Sequence, residues 1–153
     1  MSTRKDKDTY YLDIAEAVLA RSTCLRRKYG AVIVRNDEII STGYNGAPRG
    51  LPNCCDIGFC YRDIEHIPHG ERYESCCSVH AEANAIISAS RREMIGSTLY
   101  LAGHEANGSS VPDTAPCSMC LKLIVNAGIS TIVTRTPDGS IKRKEVRPDG
   151  VFF

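Results

Sequence analysis

Apolar side chains recur along the first third of the chain with spacings that predict a helix followed by a hairpin. Between residues 9 and 23 they fall at helical spacing, at Tyr11, Ile14, Ala15, Val18 and Leu19. Two short β-branched runs, 31–35 and 38–42, then flank an Asn-Asp-Glu turn. Such runs around a tight turn predict two antiparallel strands joined as a hairpin.

The second half of the chain alternates between helical and strand patterns. The predicted helices are 80–92 and 117–127, and the predicted strands are 97–103, 129–135 and, at an edge of the sheet, 141–146. Pro116 precedes the second helix and Gly128 follows it, as is typical of helix ends. The strand-helix-strand order predicts a parallel pair joined by a right-handed crossover.

Residues 44–79 have no clean periodicity and separate these two halves. The segment contains three prolines and five of the eight cysteines of the chain. A loop of this length is uncommon in a compact domain and is usually functional. We therefore expect the segment to contribute to activity or to be pinned by some additional interaction.

Length and composition predict one domain over residues 1–153 with ordinary globular chemistry. The apolar fraction is 42%, the charged fraction is 24%, and the net charge of +1 argues against a nucleic-acid partner. No apolar run approaches the roughly 18 residues of a membrane span. The charged start MSTRKDKD lacks a signal core, so we expect a cytoplasmic location and no membrane partner. Eight cysteines in such a protein indicate reduced thiols or metal sites.

Two short motifs indicate a metal site with catalytic chemistry. Cys117 and Cys120 are spaced i, i+3 at the start of a predicted helix, which places both thiols on one side of its first turn. His80 opens the other predicted helix, and both helices are expected to begin at the same edge of the sheet. One His and two Cys leave the fourth position of a tetrahedral zinc open for water, as in catalytic sites.

Glu82 follows His80 by two residues and supplies the carboxylate that such a site needs. It can take a proton from zinc-bound water and deliver it later. The spacing H-x-E followed by P-C-x-x-C resembles that of zinc nucleobase deaminases, and this resemblance implies that zinc-bound hydroxide attacks an amidine-like ring carbon and that ammonia leaves. The residues also allow a plainer interpretation, in which the two cysteines are a redox dithiol or core side chains and the other two residues are a helix cap and a solvated charge. The presence of all four residues in this pattern favours the metal site over the plainer interpretation.

The motifs VHAEANAI and PCSMCLKLIVNAGI resemble those of the zinc-dependent cytidine and deoxycytidylate deaminase superfamily. The resemblance covers residues 8–135. It implies an α/β fold, a three-layer sandwich in which helices flank a mixed sheet of about five strands. Members act on cytidine, cytosine, guanine, tRNA adenosine or deoxycytidylate, and the shared motifs do not choose among them.

Two further segments, RSTCLRRKYGAVIV and STGYNGAPRGLPNC, are similar to the deoxycytidylate branch of this superfamily. That similarity implies deamination of dCMP to dUMP, a homohexamer, and control by the effectors dCTP and dTTP. It also implies substrate contacts, for which the candidates are Asn45, Ala81 and Arg26. An amide such as Asn45 suits a sugar hydroxyl, and Arg26 with its neighbours Arg27 and Lys28 could neutralise a phosphate.

The resemblance also implies a second, structural zinc held by four thiolates. The matching positions are Cys24, Cys54, Cys60 and Cys76. Such a site would pin the 44–79 segment. The alternatives are Cys55 in place of Cys54, Cys77 in place of Cys76, a contribution from His66 or His69, or ordinary buried thiols.

The chain departs from the deoxycytidylate branch in ways that keep other functions open. The residues after the predicted strand 129–135 read RTPDGS and lack an aromatic, so Arg135, Lys142 or Arg143 would have to contact the phosphate. PCSMC also resembles the tRNA adenosine deaminases. The alternatives are a deaminase of another base, namely tRNA adenosine, guanine or a cytosine nucleoside, and a nucleotide sensor without catalysis.

Overall fold

The structure is a computed structural model that describes residues 3–147. Residues 1–2 and 148–153 of the predicted 1–153 domain lie outside the described residues. The strands are β1 Arg27–Arg35, β2 Glu38–Tyr44, β3 Thr98–Glu105, β4 Thr131–Arg135 and β5 Ile141–Glu145. The helices are α1 Lys7–Leu19, α2 Cys54–Ile57, α3 Tyr61–Ile64, α4 Ala81–Ile87, α5 Arg91–Met94 and α6 Ser118–Ala127. Across the described part of the chain, no helix has the length and apolar character needed to span a membrane.

The five strands form one mixed sheet in the order β2-β1-β3-β4-β5. Strands β3 and β4 are parallel, and the other neighbours are antiparallel. Helix α1 packs on one face through a core cluster that includes Leu12 and Val32. Helices α4 and α6 cover the other face through a cluster that includes Ala85 and Ile124. The predicted hairpin, parallel pair, edge strand and three-layer α/β sandwich are all confirmed.

Helix α1 begins earlier and ends earlier than the apolar pattern 9–23 predicts. The side chain of Asp6 caps its start by accepting from the N–H of Thr9 at 2.7 Å. The helix packs so closely on β1 that a Cβ on Gly30 would lie 2.1 Å from the carbonyl oxygen of Ala15. Only glycine allows this approach of helix to strand.

The predicted helix 80–92 is wrong in one respect, because the structure divides it into α4 and α5. Helix α4 ends at Ser88, and a new helix starts where the hydroxyl of Ser90 accepts from the N–H of Glu93 at 3.3 Å. Two serines within three residues compete for backbone hydrogen bonds and favour caps over helix interiors. The apolar spacing alone did not reveal this break.

The 44–79 segment contains short helices and a buried arginine instead of an apolar core of its own. Helices α2 and α3 and the 3-10 helix Tyr73–Ser75 follow one another along it. Arg62 is only 4% exposed, and its guanidinium donates to the carbonyl oxygens of Pro68, Glu71 and Arg72 at 2.6–2.8 Å. These bonds tie residues 62–72 of the segment to one another without a large apolar contribution.

Candidate functional site

His80, Cys117 and Cys120 meet at the edge of the sheet where α4 and α6 begin. Strands β2 and β3 both run antiparallel to β1, so their carboxyl ends share an edge and the helices that come after them start there. His80 is the N-cap residue of α4, and Cys117 is the N-cap residue of α6. The sequence prediction that these three side chains lie together agrees with their positions in the structure.

The spacing and chemistry of these three donors fit a zinc ion. The Nδ1 atom of His80 lies 3.3 Å from Sγ of Cys120 and 3.5 Å from Sγ of Cys117. All three donor atoms lie within 4.8 Å of one another. Zinc bonds to sulfur and nitrogen at tetrahedral angles put the two ligand atoms about 3.5 Å apart. One nitrogen and two sulfur donors are also a set that zinc prefers.

The two thiols share their negative charge unequally. The hydrogen bond from Cys120 lowers the pKa of Cys117 to about 4, and the same contact raises the pKa of Cys120. The backbone N–H of Cys120 also donates to Sγ of Cys117 at 3.4 Å, as expected for a thiolate at a helix N-terminus. The contact with Cys117 raises the pKa of His80. This arrangement favours the thiolate form at Cys117.

Glu82 is a buried carboxylic acid next to these donors. It is the second residue of α4 and is only 5% exposed. Burial raises its pKa, and the neighbouring His80 lowers it. A carboxyl group with a raised pKa holds and releases a proton closer to neutral pH than an exposed one.

A cavity of about 700 Å³ opens onto this group. The three predicted substrate residues, Arg26, Asn45 and Ala81, all line it, as do His80, Glu82 and Cys117. Further lining residues include Arg27, Tyr29, Arg62, His69 and Tyr73. The sequence did not single out Tyr29, Arg62 or Tyr73. Tyr29 shares one face of β1 with Arg27, but the predicted strand 31–35 begins too late to show this, and nothing in the local sequence marks Arg62 or Tyr73.

Most of the hydrogen bonds that the Asn45 side chain can form are made to other residues of the protein. Its Oδ1 accepts from the hydroxyl of Ser22 at 2.5 Å and from the N–H of Tyr29 at 2.9 Å. Its Nδ2 donates to the carbonyl oxygen of Arg27 at 2.9 Å. The side chain therefore fixes the start of β1, and the second amide hydrogen is the part it can offer to a ligand.

The cysteines predicted to hold a second zinc also line the cavity, but their thiols are less tightly grouped. These are Cys24, Cys54, Cys60 and Cys76. Cys54 contacts Cys77 at 2.9 Å between sulfurs, and burial raises the pKa of Cys54 to about 12. Cys55 is exposed. Within residues 3–147, the set that has three donors within 4.8 Å of one another is His80, Cys117 and Cys120.

The three cations suggested after β4 for the phosphate lie elsewhere. Arg135 pairs with Glu16 at 2.9 Å and with Asp13 at 3.0 Å, both on α1. Arg143 and Lys142 pair with Asp8 and Asp113 at 2.6 and 3.9 Å. None of the three cations lines the cavity. Arg135 and Arg143 pair with α1 on the opposite face of the sheet, whereas Lys142 pairs with Asp113, which itself lines the cavity.

Several known proteins with similar sequences are deoxycytidylate deaminases. The deoxycytidylate deaminase of Mycobacterium phage D29 is 39% identical over 136 aligned residues, covering 86% of this chain and 95% of that protein. The deoxycytidylate deaminase of Schizosaccharomyces pombe is 36% identical, covering 87% of this chain but 38% of that protein. The chain thus spans less than half the length of the yeast relative.

A solved structure and a family model agree with these relatives. The crystal structure of dCMP deaminase from the cyanophage S-TIM5 in complex with dCMP and dUMP has a TM-score of 0.60 and 26% identity, and the match covers 90% of each chain. The model of the cytidine and deoxycytidylate deaminase zinc-binding region matches residues 5–136, which include every donor described above. This chain therefore belongs to the cytidine and deoxycytidylate deaminase zinc-binding family.

Proposed function

We propose that this chain catalyses the zinc-dependent hydrolysis of dCMP to dUMP and ammonia. The main support for the proposal is that His80, Cys117 and Cys120 lie together beside the buried Glu82. This group lies at the wall of a cavity that is large enough for a nucleotide. The similarity to phage and yeast deoxycytidylate deaminases supports the choice of dCMP as substrate. His80, Cys117 and Cys120 are the proposed zinc ligands.

Glu82 is the proposed proton carrier of the reaction. Zinc in this site would lower the pKa of a water molecule and so supply a nucleophile at neutral pH. Oε of Glu82 takes a proton from the attacking water as the new C–O bond forms at C4 of the cytosine ring, and passes it to N3. In a second transfer, the same carboxyl group carries the proton of the new C4 hydroxyl to the 4-amino nitrogen. The C4–N bond then breaks, and ammonia leaves as the carbonyl forms.

Three residues around the reacting ring are proposed to bind substrate. Ala81 lies in the first turn of α4, whose backbone N–H groups have no partner within the helix, and one of them can donate to the base. Asn45 has one amide hydrogen to offer to a sugar hydroxyl. Arg26 lines the same cavity, with its Nε 3.2 Å from Asp63.

A second zinc and several assembly properties are also part of the proposal. Four of the cavity cysteines, Cys24, Cys54, Cys60 and Cys76, are the proposed ligands, and Cys77 is the alternative because it contacts Cys54. A homohexamer and the effectors dCTP and dTTP come from the family resemblance, and the cytoplasmic location is the expectation stated under Sequence analysis.

Ammonia release across a panel of substrates tests the proposed function. Purified, zinc-loaded protein would be given dCMP, deoxycytidine, dCTP, guanine and a tRNA in parallel, with and without dCTP and dTTP as effectors. The proposal predicts that dCMP is turned over with the highest kcat/KM and that dUMP accumulates in equal amount to ammonia. Preferred turnover of another base would assign the chain to a different branch, and binding of dCMP without ammonia release would indicate a sensor.

A further inference from the structure

The imidazole of His80 must be held in one orientation if its Nδ1 atom is to bind a metal together with two thiols. Nδ1 lies 3.3 Å from Sγ of Cys120 and 3.5 Å from Sγ of Cys117. Rotation of the ring about its bond to Cβ would carry Nδ1 away from both sulfurs. That torsion is broad in histidine and has no sharp preferred angle. A contact with another side chain is therefore needed to fix the ring.

The backbone around His80 is well fixed, but it does not orient the imidazole. Val79 and Gly46 exchange two backbone hydrogen bonds at 2.7 and 3.2 Å, and the carbonyl oxygen of His80 accepts from the N–H of Asn84 at 3.0 Å. These bonds place His80 at the start of α4. Among the described residues, its side chain makes no capping hydrogen bond to the helix. The orientation of the ring therefore depends on neighbours from other segments.

Tyr73 supplies a ring contact to the imidazole. The centres of the Tyr73 and His80 rings are 5.0 Å apart, and the ring planes meet at 82° in an edge-to-face arrangement. Aromatic pairs prefer this geometry at about 4.5–7 Å, because the positive edge of one ring meets the negative face of the other. Metal-binding histidines are generally oriented by a group that is not itself a metal ligand. The Tyr73 ring is placed to serve as that group.

Arg62 holds Tyr73 in this position. Its guanidinium carbon lies 4.9 Å from the centre of the Tyr73 ring. Its Nη1 also donates to the carbonyl oxygen of Arg72, the preceding residue, at 2.8 Å. Arg62 is buried, and the attraction of a cation to an aromatic ring is stronger when water is excluded. The ring of Tyr73 and the backbone just before it are therefore both held by one buried side chain.

Arg62, Tyr73 and His80 form a series of contacts from the 44–79 segment to the proposed metal site. Arg62 and Tyr73 belong to that segment, whereas His80 is the N-cap residue of α4. All three line the cavity. The sequence predicted that the segment contributes to activity or is pinned by an additional interaction. These contacts give it a route to the metal site through His80.

We propose that Tyr73, held by Arg62, is a positioning residue that keeps Nδ1 of His80 directed at the proposed zinc position. This inference rests on the proposed function, since it takes His80 as a zinc ligand. Without the Tyr73 ring, the imidazole adopts orientations in which Nδ1 does not face the two sulfurs. The site then binds zinc more weakly, and a smaller fraction of the chains is competent for ammonia release.

Zinc affinity in a double-mutant cycle tests the proposal. The zinc-loaded chain would be equilibrated with chelators of graded affinity, and Co²⁺-loaded samples would report ligand geometry through their visible absorption. Tyr73→Leu and Tyr73→Met remove the aromatic ring, whereas Tyr73→Phe keeps it. Each would be made in wild type and in His80→Cys, which keeps a metal ligand but has no imidazole to orient. The matched control is Tyr61→Leu, since Tyr61 is exposed in the same segment and does not line the cavity.

The expected result is a loss that depends on both the aromatic ring and the imidazole. Tyr73→Leu and Tyr73→Met should weaken zinc binding roughly 3- to 10-fold, as the loss of one edge-to-face contact implies, and should alter the Co²⁺ absorption. Tyr73→Phe and Tyr61→Leu should match wild type. In the His80→Cys background, the same Tyr73 substitutions should change zinc affinity by less than about twofold.

Two results would overturn the proposal. Equal losses in wild type and in His80→Cys would show that Tyr73 supports the loop and not the imidazole, and unchanged zinc affinity in Tyr73→Leu and Tyr73→Met would show that the contact has no effect. His80→Ala and ammonia release from dCMP, measured alongside, test the proposed function separately. Wild-type zinc affinity in His80→Ala would contradict the ligand assignment itself. The expected zinc losses without turnover of dCMP by wild type would contradict the proposed function and leave the positioning role standing.

Discussion

Asn45 shows at the residue scale how one side chain serves both the fold and the cavity. Its amide joins Ser22, Tyr29 and Arg27 through three hydrogen bonds while also lining the cavity. The sequence predicted a ligand contact from the donor and acceptor of the amide. It could not predict the internal bonds, because they join residues 16 to 23 positions apart.

Replacing Asn45 separates these two roles. Asn45→Ala leaves the N–H of Tyr29 and the carbonyl of Arg27 buried without this partner, so the free energy of unfolding should fall by about 1–3 kcal/mol. Asn45→Asp keeps the acceptor for Tyr29 and should recover part of that loss. Urea denaturation measures both, with Asn107→Ala in an exposed turn as the control. Unchanged stability in Asn45→Ala would contradict the structural role.

At the element scale, the packing of helix α4 against β2 determines where the candidate site lies. The helix carries His80 at its N-cap and Glu82 in its first turn, and it lies directly against β2. A Cβ on Gly43 would lie 2.4 Å from both the carbonyl oxygen of Ala81 and the N–H nitrogen of Ala85. Gly43, the first glycine of STGYNGAPRGLPNC, is therefore required for the close approach of the helix to the strand.

Gly43→Ala should move α4 and reduce both stability and activity. Because the clashing atoms are backbone, the helix must shift, and we expect a loss of about 1–3 kcal/mol in the free energy of unfolding. The shift should also lower kcat for ammonia release. Thr42→Ala, on the exposed face of the same strand, is the control and should change stability by less than about 0.5 kcal/mol. Wild-type stability in Gly43→Ala would show that the helix is not seated as described.

Helices and strands were predicted correctly where the apolar spacing was regular. The prediction failed where hydrogen bonds of polar side chains determine where an element ends or how a segment folds. The hairpin of β1 and β2 and the helix α6 followed from apolar runs and from Pro116 and Gly128. The break between α4 and α5 depends on the cap formed by Ser90. The folded 44–79 segment depends on Arg62 binding three carbonyls that follow it in the chain, an interaction that no local pattern marks.

At the scale of the whole molecule, one cavity is lined by two of the proposed zinc ligands, the proposed substrate residues and part of the cysteine-rich segment. His80, Cys117 and Cys120 came together as their sequence motifs predicted, because sheet order brings two helix starts to one edge. The sequence suggested phosphate contacts after β4, yet Arg135 is on the other face of the sheet, paired with α1. Which face a side chain occupies depends on strand order, and the sequence alone left that open.

Zinc counting on cysteine variants tests how the cysteine-rich segment is held. If zinc is bound there, wild type should contain about two zinc ions per chain, and chelation should lower its Tm because bound metal stabilises the folded state. Loss of a ligand, in Cys76→Ser or Cys77→Ser, should reduce the count to about one and lower the Tm. Cys55, the alternative to Cys54, is exposed, so Cys55→Ser should leave both the zinc count and the Tm unchanged. A count of one in wild type would contradict the second site.

The most direct test of the central claim is the activity of Glu82→Gln measured together with its zinc content. Glutamine has nearly the same shape as glutamate but cannot carry a proton at this position. The account predicts that the variant keeps the wild-type amount of zinc, still binds dCMP, and releases ammonia roughly 10²- to 10⁴-fold more slowly. Ammonia release at the wild-type rate, with zinc and dCMP binding intact, would contradict the assignment of Glu82 as the proton carrier.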